Sequence, residues 1–209
     1  PVLTYMLGIG VGTLFGLING VLIAFLQLPP LVATLGMYSV ASGLMIFLTK
    51  GAYINNIPQS FIDFGLTTFL NVFPKGDGTF IGLPIQVIPM ALVLLLTFVI
   101  LRHTKIGRGV FAIGGNMLSA ERVGFNVKAV QMFSYAYMGF ICGIAGVTHI
   151  SIMRRVDPNA FTGYEMDVIA AVILGGVNVL GGEGSLLGTV LGVTLFAIIR
   201  NGLTLLQIS

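Results

Sequence analysis

Residues 3–28 carry no charge, and only Thr4, Thr13, Asn19 and Gln27 interrupt a run of apolar and small residues. A helix of that length crosses a hydrocarbon core of about 30 Å with some tilt. In hydrocarbon a segment must satisfy its own backbone polar groups, so this run reads as a transmembrane helix. Further apolar runs follow at residues 31–48, 84–101, 129–152, 166–174 and 185–206. The expectation is therefore an all-α, polytopic helical membrane protein with about six spans, forming one transmembrane domain over residues 1–209. The run at 166–174 meets Gly175-Gly176 after little more than two turns, so it is expected to be a short tilted span or a half-helix. A mean hydropathy of +1.02 and 8% charged residues agree with this class. The chain opens at Pro1, without Met, almost directly into a span, and a piece of a longer protein is expected.

Glycines recur every fourth residue in two of these spans: Gly8, Gly12, Gly16 and Gly20 in the first, and Gly184, Gly188 and Gly192 in the last. That spacing lines one helix face with hydrogen atoms and lets a second backbone approach, so both stripes are expected to be helix-packing faces. Gly188-Thr189-Val190-Leu191-Gly192 echoes Gly12-Thr13-Leu14-Phe15-Gly16, which hints at an inverted repeat.

Half of the ten Lys and Arg residues lie in a polar hairpin at residues 102–128: Arg102, Lys105, Arg108, Arg122 and Lys128. Within it, Ala112-Ile113-Gly114-Gly115-Asn116 reads as a tight turn. A short helix at 117–123 follows, capped by Asn116 and ended by Gly124. Such a helix is too short to be stable alone and should lie against something else. The density of cations favours a cytoplasmic hairpin. Residues 49–82, rich in Pro, Asn and Gly and containing Lys75-Gly76-Asp77-Gly78, then form a long outward-facing loop with at most short interfacial pieces. Thr162 and Glu165 have the spacing of a capping box ahead of the run at 166–174.

No His-Glu-x-x-His, P-loop or Cys pair is present. The single Cys142 reads as a small buried side chain, and His103 and His149 as interfacial polar residues. Glu165 and Asp167 fit the first turn of a helix, where its dipole favours acids; a proton-coupling role is the sharper alternative. The basic residues sit beside spans, so they are topology signals rather than a nucleic-acid surface. Uncharged polar residues inside spans either join helices or face a wet path, which makes Asn19, Thr34, Asn178 and Asn201 candidates for a conduit.

Several stretches taken together resemble one family. They are Pro29-Pro30-Leu31-Val32-Ala33-Thr34-Leu35-Gly36, the Ala112 to Asn116 motif, the stretch Gly163-Tyr164-Glu165-Met166-Asp167-Val168-Ile169-Ala170-Ala171-Val172-Ile173-Leu174-Gly175-Gly176, then Gly181-Gly182-Glu183-Gly184-Ser185, and Asn201-Gly202-Leu203. In this order they resemble the permease subunits of ribose-type bacterial ABC importers, whose members serve ribose, xylose, arabinose, galactosides and autoinducer-2. The resemblance implies a multi-pass subunit of the bacterial cytoplasmic membrane, surrounded by lipid and paired with a second permease, identical or related. It implies no cofactor of the chain's own, because cytoplasmic ATPase subunits bind the ATP and Mg, and an external binding protein that delivers a monosaccharide-like solute. It also implies spans before the first residue and one after the last. A cytoplasmic helix of such permeases docks on the ATPase, and the hairpin at 102–130 is the matching element, with Gly114, Gly115, Asn116, Met117, Leu118, Glu121, Arg122 and Val123 as coupling residues. The family's frequent Ala-Ala-Arg is here Ala120-Glu121-Arg122. The alternative in a different class is an ion-coupled secondary transporter, suggested by the repeat and by the two acids.

Overall fold

The computed structural model describes residues 2–74 and 80–206. Among the described residues, nine helices and one antiparallel hairpin follow in order: α1 (Val2–Ala24), α2 (Pro30–Thr49), α3 (Gln59–Leu66), β1 (Thr68–Pro74), β2 (Phe80–Pro84), α4 (Val87–His103), α5 (Lys105–Gly115), α6 (Met117–Arg122), α7 (Val127–Met153), α8 (Tyr164–Leu174) and α9 (Leu186–Leu205). They form two compact units, one of Pro1–Leu96 with Gln131–Asn159 and one of Thr97–Val130 with Ala160–Ser209.

Among the described residues, α1, α2, α7 and α9 are long and apolar enough to cross a membrane; α4 and α5, bent by 75° at their junction, make a fifth if taken as one broken span. The expected count of about six is therefore too high. The difference is α8, whose 11 residues amount to about 16 Å and fall short of the hydrocarbon core.

In the first unit, α1 and α7 meet along glycine. A Cβ on Gly12 would come within 2.9 Å of Gly143 Cα, and one on Gly139 within 2.9 Å of Gly16 Cα. Gly8 lies against Val147 and Gly143, and Gly20 against Met132. The first helix ends at Ala24, earlier than the apolar run suggests, and Pro29 and Pro30 open the next one without a donor to lose.

The described residues within 49–82 are folded rather than a loop with short pieces, and they hold α3 and a β-hairpin in an otherwise helical chain. Its β1 and β2 pair antiparallel from Thr68 opposite Pro84 to Pro74 opposite Phe80. The Lys75-Gly76-Asp77-Gly78 cluster lies outside the described residues. What the composition hides is tertiary docking: Phe61 is buried, and Phe64 meets Tyr5 edge-on at 6.1 Å. Gly65 sits against the Ser151 carbonyl, while the buried Gln86 Nε2 donates to the Gly65 carbonyl at 2.8 Å. Ile54 and Val156 exchange backbone hydrogen bonds of 3.1 and 3.0 Å, and the Arg155 guanidinium lies 5.3 Å from the Tyr53 ring centre. The segments after α2 and after α7 are thus tied together, as expected if both leave the bilayer on one side.

In the second unit, Thr104 caps α5 by accepting from Gly107 N at 3.0 Å. The helix then runs through Gly115, so the tight turn expected at 112–116 is absent. A single extended residue, Asn116 (φ −156°, ψ 109°), separates α5 from α6 and accepts from Ser119 N at 2.9 Å. The short helix ends at Arg122, one residue before the expected limit, and Gly124 follows in the left-handed region with φ +95°. The capping box at Thr162 is also not formed. The helix starts at Tyr164, and its N-cap is Gly163 with φ +85° and no side-chain cap, so Glu165 stands one turn position too early to reach back. Glu165 and Asp167 do lie in the first turn of α8.

Candidate translocation path and coupling hairpin

The first unit holds a cavity of about 760 Å³ between α1, α2 and α7. Its walls include Asn19, Thr34, Tyr135, Met138 and Cys142, with glycines of both seam helices between them. Thr34 spends its hydroxyl on its own helix, donating to the Pro30 carbonyl at 2.9 Å. Asn19 differs, because its Oδ1 is buried without a hydrogen-bond partner. A buried acceptor left unsatisfied costs about 1–3 kcal/mol, which sets Asn19 apart from the self-satisfied Thr34 on the same cavity wall. Cys142 is exposed on the cavity wall rather than buried as the sequence suggested. Its place in an apolar run hid this, since the helix face it occupies is set by the glycine seam beside it.

Asn178 and Asn201 belong to the second unit, and both are exposed. Asn178 organises the turn between α8 and α9: its Oδ1 accepts from Leu180 N and its carbonyl from Gly181 N, each at 3.0 Å. Its own amide donates to the Glu183 carbonyl at 3.0 Å. That turn continues into a close helix pair. A Cβ on Gly192 would stand 2.6 Å from Gly175 Cα, Gly188 faces the Gly175 carbonyl, and Gly184 approaches the Val177 side chain.

In the hairpin, Met117, Leu118 and Val123 expose 48%, 69% and 78% of their surface, an apolar triplet that this chain leaves uncovered. Glu121 and Arg122 are exposed beside it, whereas Ala120 is buried beneath. Gly114 and Gly115 act differently from each other. Gly114 lies against Gly181 and Gly182, and a Cβ on Gly115 would meet nothing within 4 Å.

Two functional features escaped the sequence reading. One is the contact of Gly114 with the turn after α8, for which no spacing rule gives a signal. The other is Arg200, a cation inside the last apolar run, whose guanidinium binds Asp167 Oδ2 at 2.6 Å and stacks 5.1 Å from the Tyr164 ring centre. A charge within a span is itself the signal that could have found it.

Over residues 1–209 the chain matches the family described as branched-chain amino acid transport system / permease component. The chain belongs to this permease family. It is 33% identical over 202 residues to the ribose import permease protein RbsC of Escherichia coli (strain K12), covering 96% of this chain and 60% of that protein. Identity to the ribose import permease protein RbsC of Bacillus subtilis (strain 168) is 37% over 209 residues, covering 100% and 62%. Identity to the autoinducer 2 import system permease protein LsrC of Photorhabdus luminescens is 32% over 197 residues, covering 94% and 56%. The chain thus spans roughly three-fifths of the length of these relatives. No solved structure matches it. Membership of the family, with the apolar helices described above, places the chain in the bacterial cytoplasmic membrane as a multi-pass protein.

Proposed function

We propose that this chain forms the translocation path of an ATP-binding-cassette importer for a monosaccharide or similarly small polar solute, and performs no chemistry of its own. The relatives named for ribose and autoinducer 2 import point to that solute class. The observation in the structure that carries the reading is a cavity between three membrane helices whose wall includes the polar residues Asn19 and Thr34. A solute rich in hydroxyl groups needs only weak, dispersed contacts along such a wall, and these let it leave again.

ATP and Mg are bound by separate cytoplasmic subunits in this reading. They dock on α6 through Met117, Leu118 and Val123, with Glu121 and Arg122 at the rim. A second permease copy, identical or related, completes the path, and the stretch at 49–82 faces outward to receive a solute-binding protein. An ion-coupled transporter is less well supported, because Asp167, one of its two candidate proton carriers, already holds Arg200.

The native Cys142 provides the test. In the full-length permease assembled with its ATPase, alkylation of Cys142 should slow uptake, and transported solute should slow alkylation. Asn19→Leu should lower uptake while leaving ATPase association intact. Uptake that tracks an ion gradient and ignores ATP would sink the proposal, as would full transport by a completely alkylated protein.

A further inference from the structure

We infer that the turn between α8 and α9 receives the motion of the coupling hairpin, through the contact of Gly114 with Gly181 and Gly182. The inference rests on the coupling role proposed for α6 and extends it to a route into the membrane. The contact is backbone on backbone from both directions. A Cβ on Gly182 would come within 2.8 Å of the N and Cα of Gly115, and one on Gly181 within 3.0 Å of the Gly114 carbonyl oxygen. Gly181 and Gly182 also sit at φ +94° and +79°, where an L side chain is strained. Neither partner can recede into side-chain slack, since no side chain lies between them. A displacement of the end of α5 therefore moves the turn itself.

The turn is stiff enough to pass that displacement on. Asn178 closes it with its amide, carbonyl and side-chain oxygen, and Ser185 caps α9 by accepting from Gly188 N at 3.0 Å. Beyond the turn, Gly175 packs on Gly188 and Gly192, and the Asp167–Arg200 pair with the Tyr164 ring fastens the other end of the short helix. Packed interfaces of this kind shift between discrete arrangements rather than deform. The α8–α9 pair is thereby a lever about 16 Å long, the length of α8, with its driven end against Gly114. A cavity of about 380 Å³ beside the contact, lined by Val110, Phe111, Glu183 and Leu186 among others, leaves room for the turn to travel.

The test uses the full-length permease with its ATPase subunits and binding protein in proteoliposomes. Gly182→Ala should co-purify with the ATPase and hydrolyse ATP, yet solute moved per ATP should fall about tenfold, within the usual range of coupling between sites. Gly202→Ala, on an α9 position with open space around it, should behave as the parent protein. Cysteines at Phe111 and Glu183 joined by a short reducible cross-linker should stop transport until the link is reduced, measured against the parent protein given the same reagent. Normal solute per ATP in Gly182→Ala, or normal transport by the cross-linked protein, overturns the inference. The coupling role of α6 fails on a separate measurement, ATPase association and transport retained by Leu118→Asp with Val123→Asp.

Discussion

The two units use glycine for close approach in different ways. Along α1 and α7, glycines at four-residue spacing let two long helices lie together over several turns, each near a partner such as Gly139 or Gly143. At the end of α5, one helical glycine meets two that sit in a turn with positive φ. The first arrangement distributes its closeness over a whole face, so it resists any single displacement. The second concentrates it at one point between a short exposed element and the end of a helix pair. A distributed seam makes a wall, and a single contact makes a joint.

The largest expected effect breaks the wall. Gly12→Val would drive a branched side chain into the Gly139 carbonyl and Gly143, whereas Gly10, on the same helix, has nothing within 4 Å of a Cβ. Overpacking of a tight interface costs about 1–3 kcal/mol, so Gly12→Val should unfold in detergent at clearly lower temperature. Gly10→Val should match the parent protein. Equal midpoints for the two variants would show that backbone approach does not limit this seam.

A smaller effect concerns the joint. Asn116→Ala removes the side-chain acceptor of Ser119 N and should loosen α6 by about 1 kcal/mol. Hydrogen exchange at the amides of residues 117–120 should speed up by about fivefold, which is the same free energy. Exchange along α1 should not change. An unchanged rate at Ser119 would mean that α6 is held by its packing through Ala120 rather than by its cap.

This contrast also explains what the sequence could reveal. The α1 stripe, the spans and the Asn116 cap were legible because each follows from a local period or a local hydrogen bond. The turn expected at Gly114-Gly115 was misplaced because paired glycines permit unusual backbone angles without requiring them; Gly114 is kept small by a partner 68 positions away. Thr162 and Glu165 had the right spacing for a capping box, but Gly163 takes the cap position with its own positive φ. The fold of the described residues between 59 and 84 was hidden for a related reason. It docks on Tyr5 and Ser151, which lie far from it in sequence. Of the polar residues that the sequence offers for a conduit, Asn19 and Thr34 come to one cavity while Asn178 serves a turn, a grouping that no local pattern encodes.

The smallest expected effect asks whether the far end of the α8–α9 pair is held as loosely as its composition suggests. Unlike either glycine contact, the Asp167–Arg200 pair joins two flexible side chains, with 37% and 54% of their surface open. If both face water, solvent screens them and side-chain entropy opposes the bond, so the pair should contribute below about 1 kcal/mol. A double-mutant cycle of Asp167→Asn and Arg200→Gln on thermal stability would measure it, and the coupling should shrink further between 0.1 and 0.5 M salt, where the Debye length falls below about 10 Å. A coupling well above that bound and insensitive to salt would place the pair out of water. The clasp would then be as rigid as the glycine packing at the other end of α8, and the lever would be fixed at both ends instead of hinged at one.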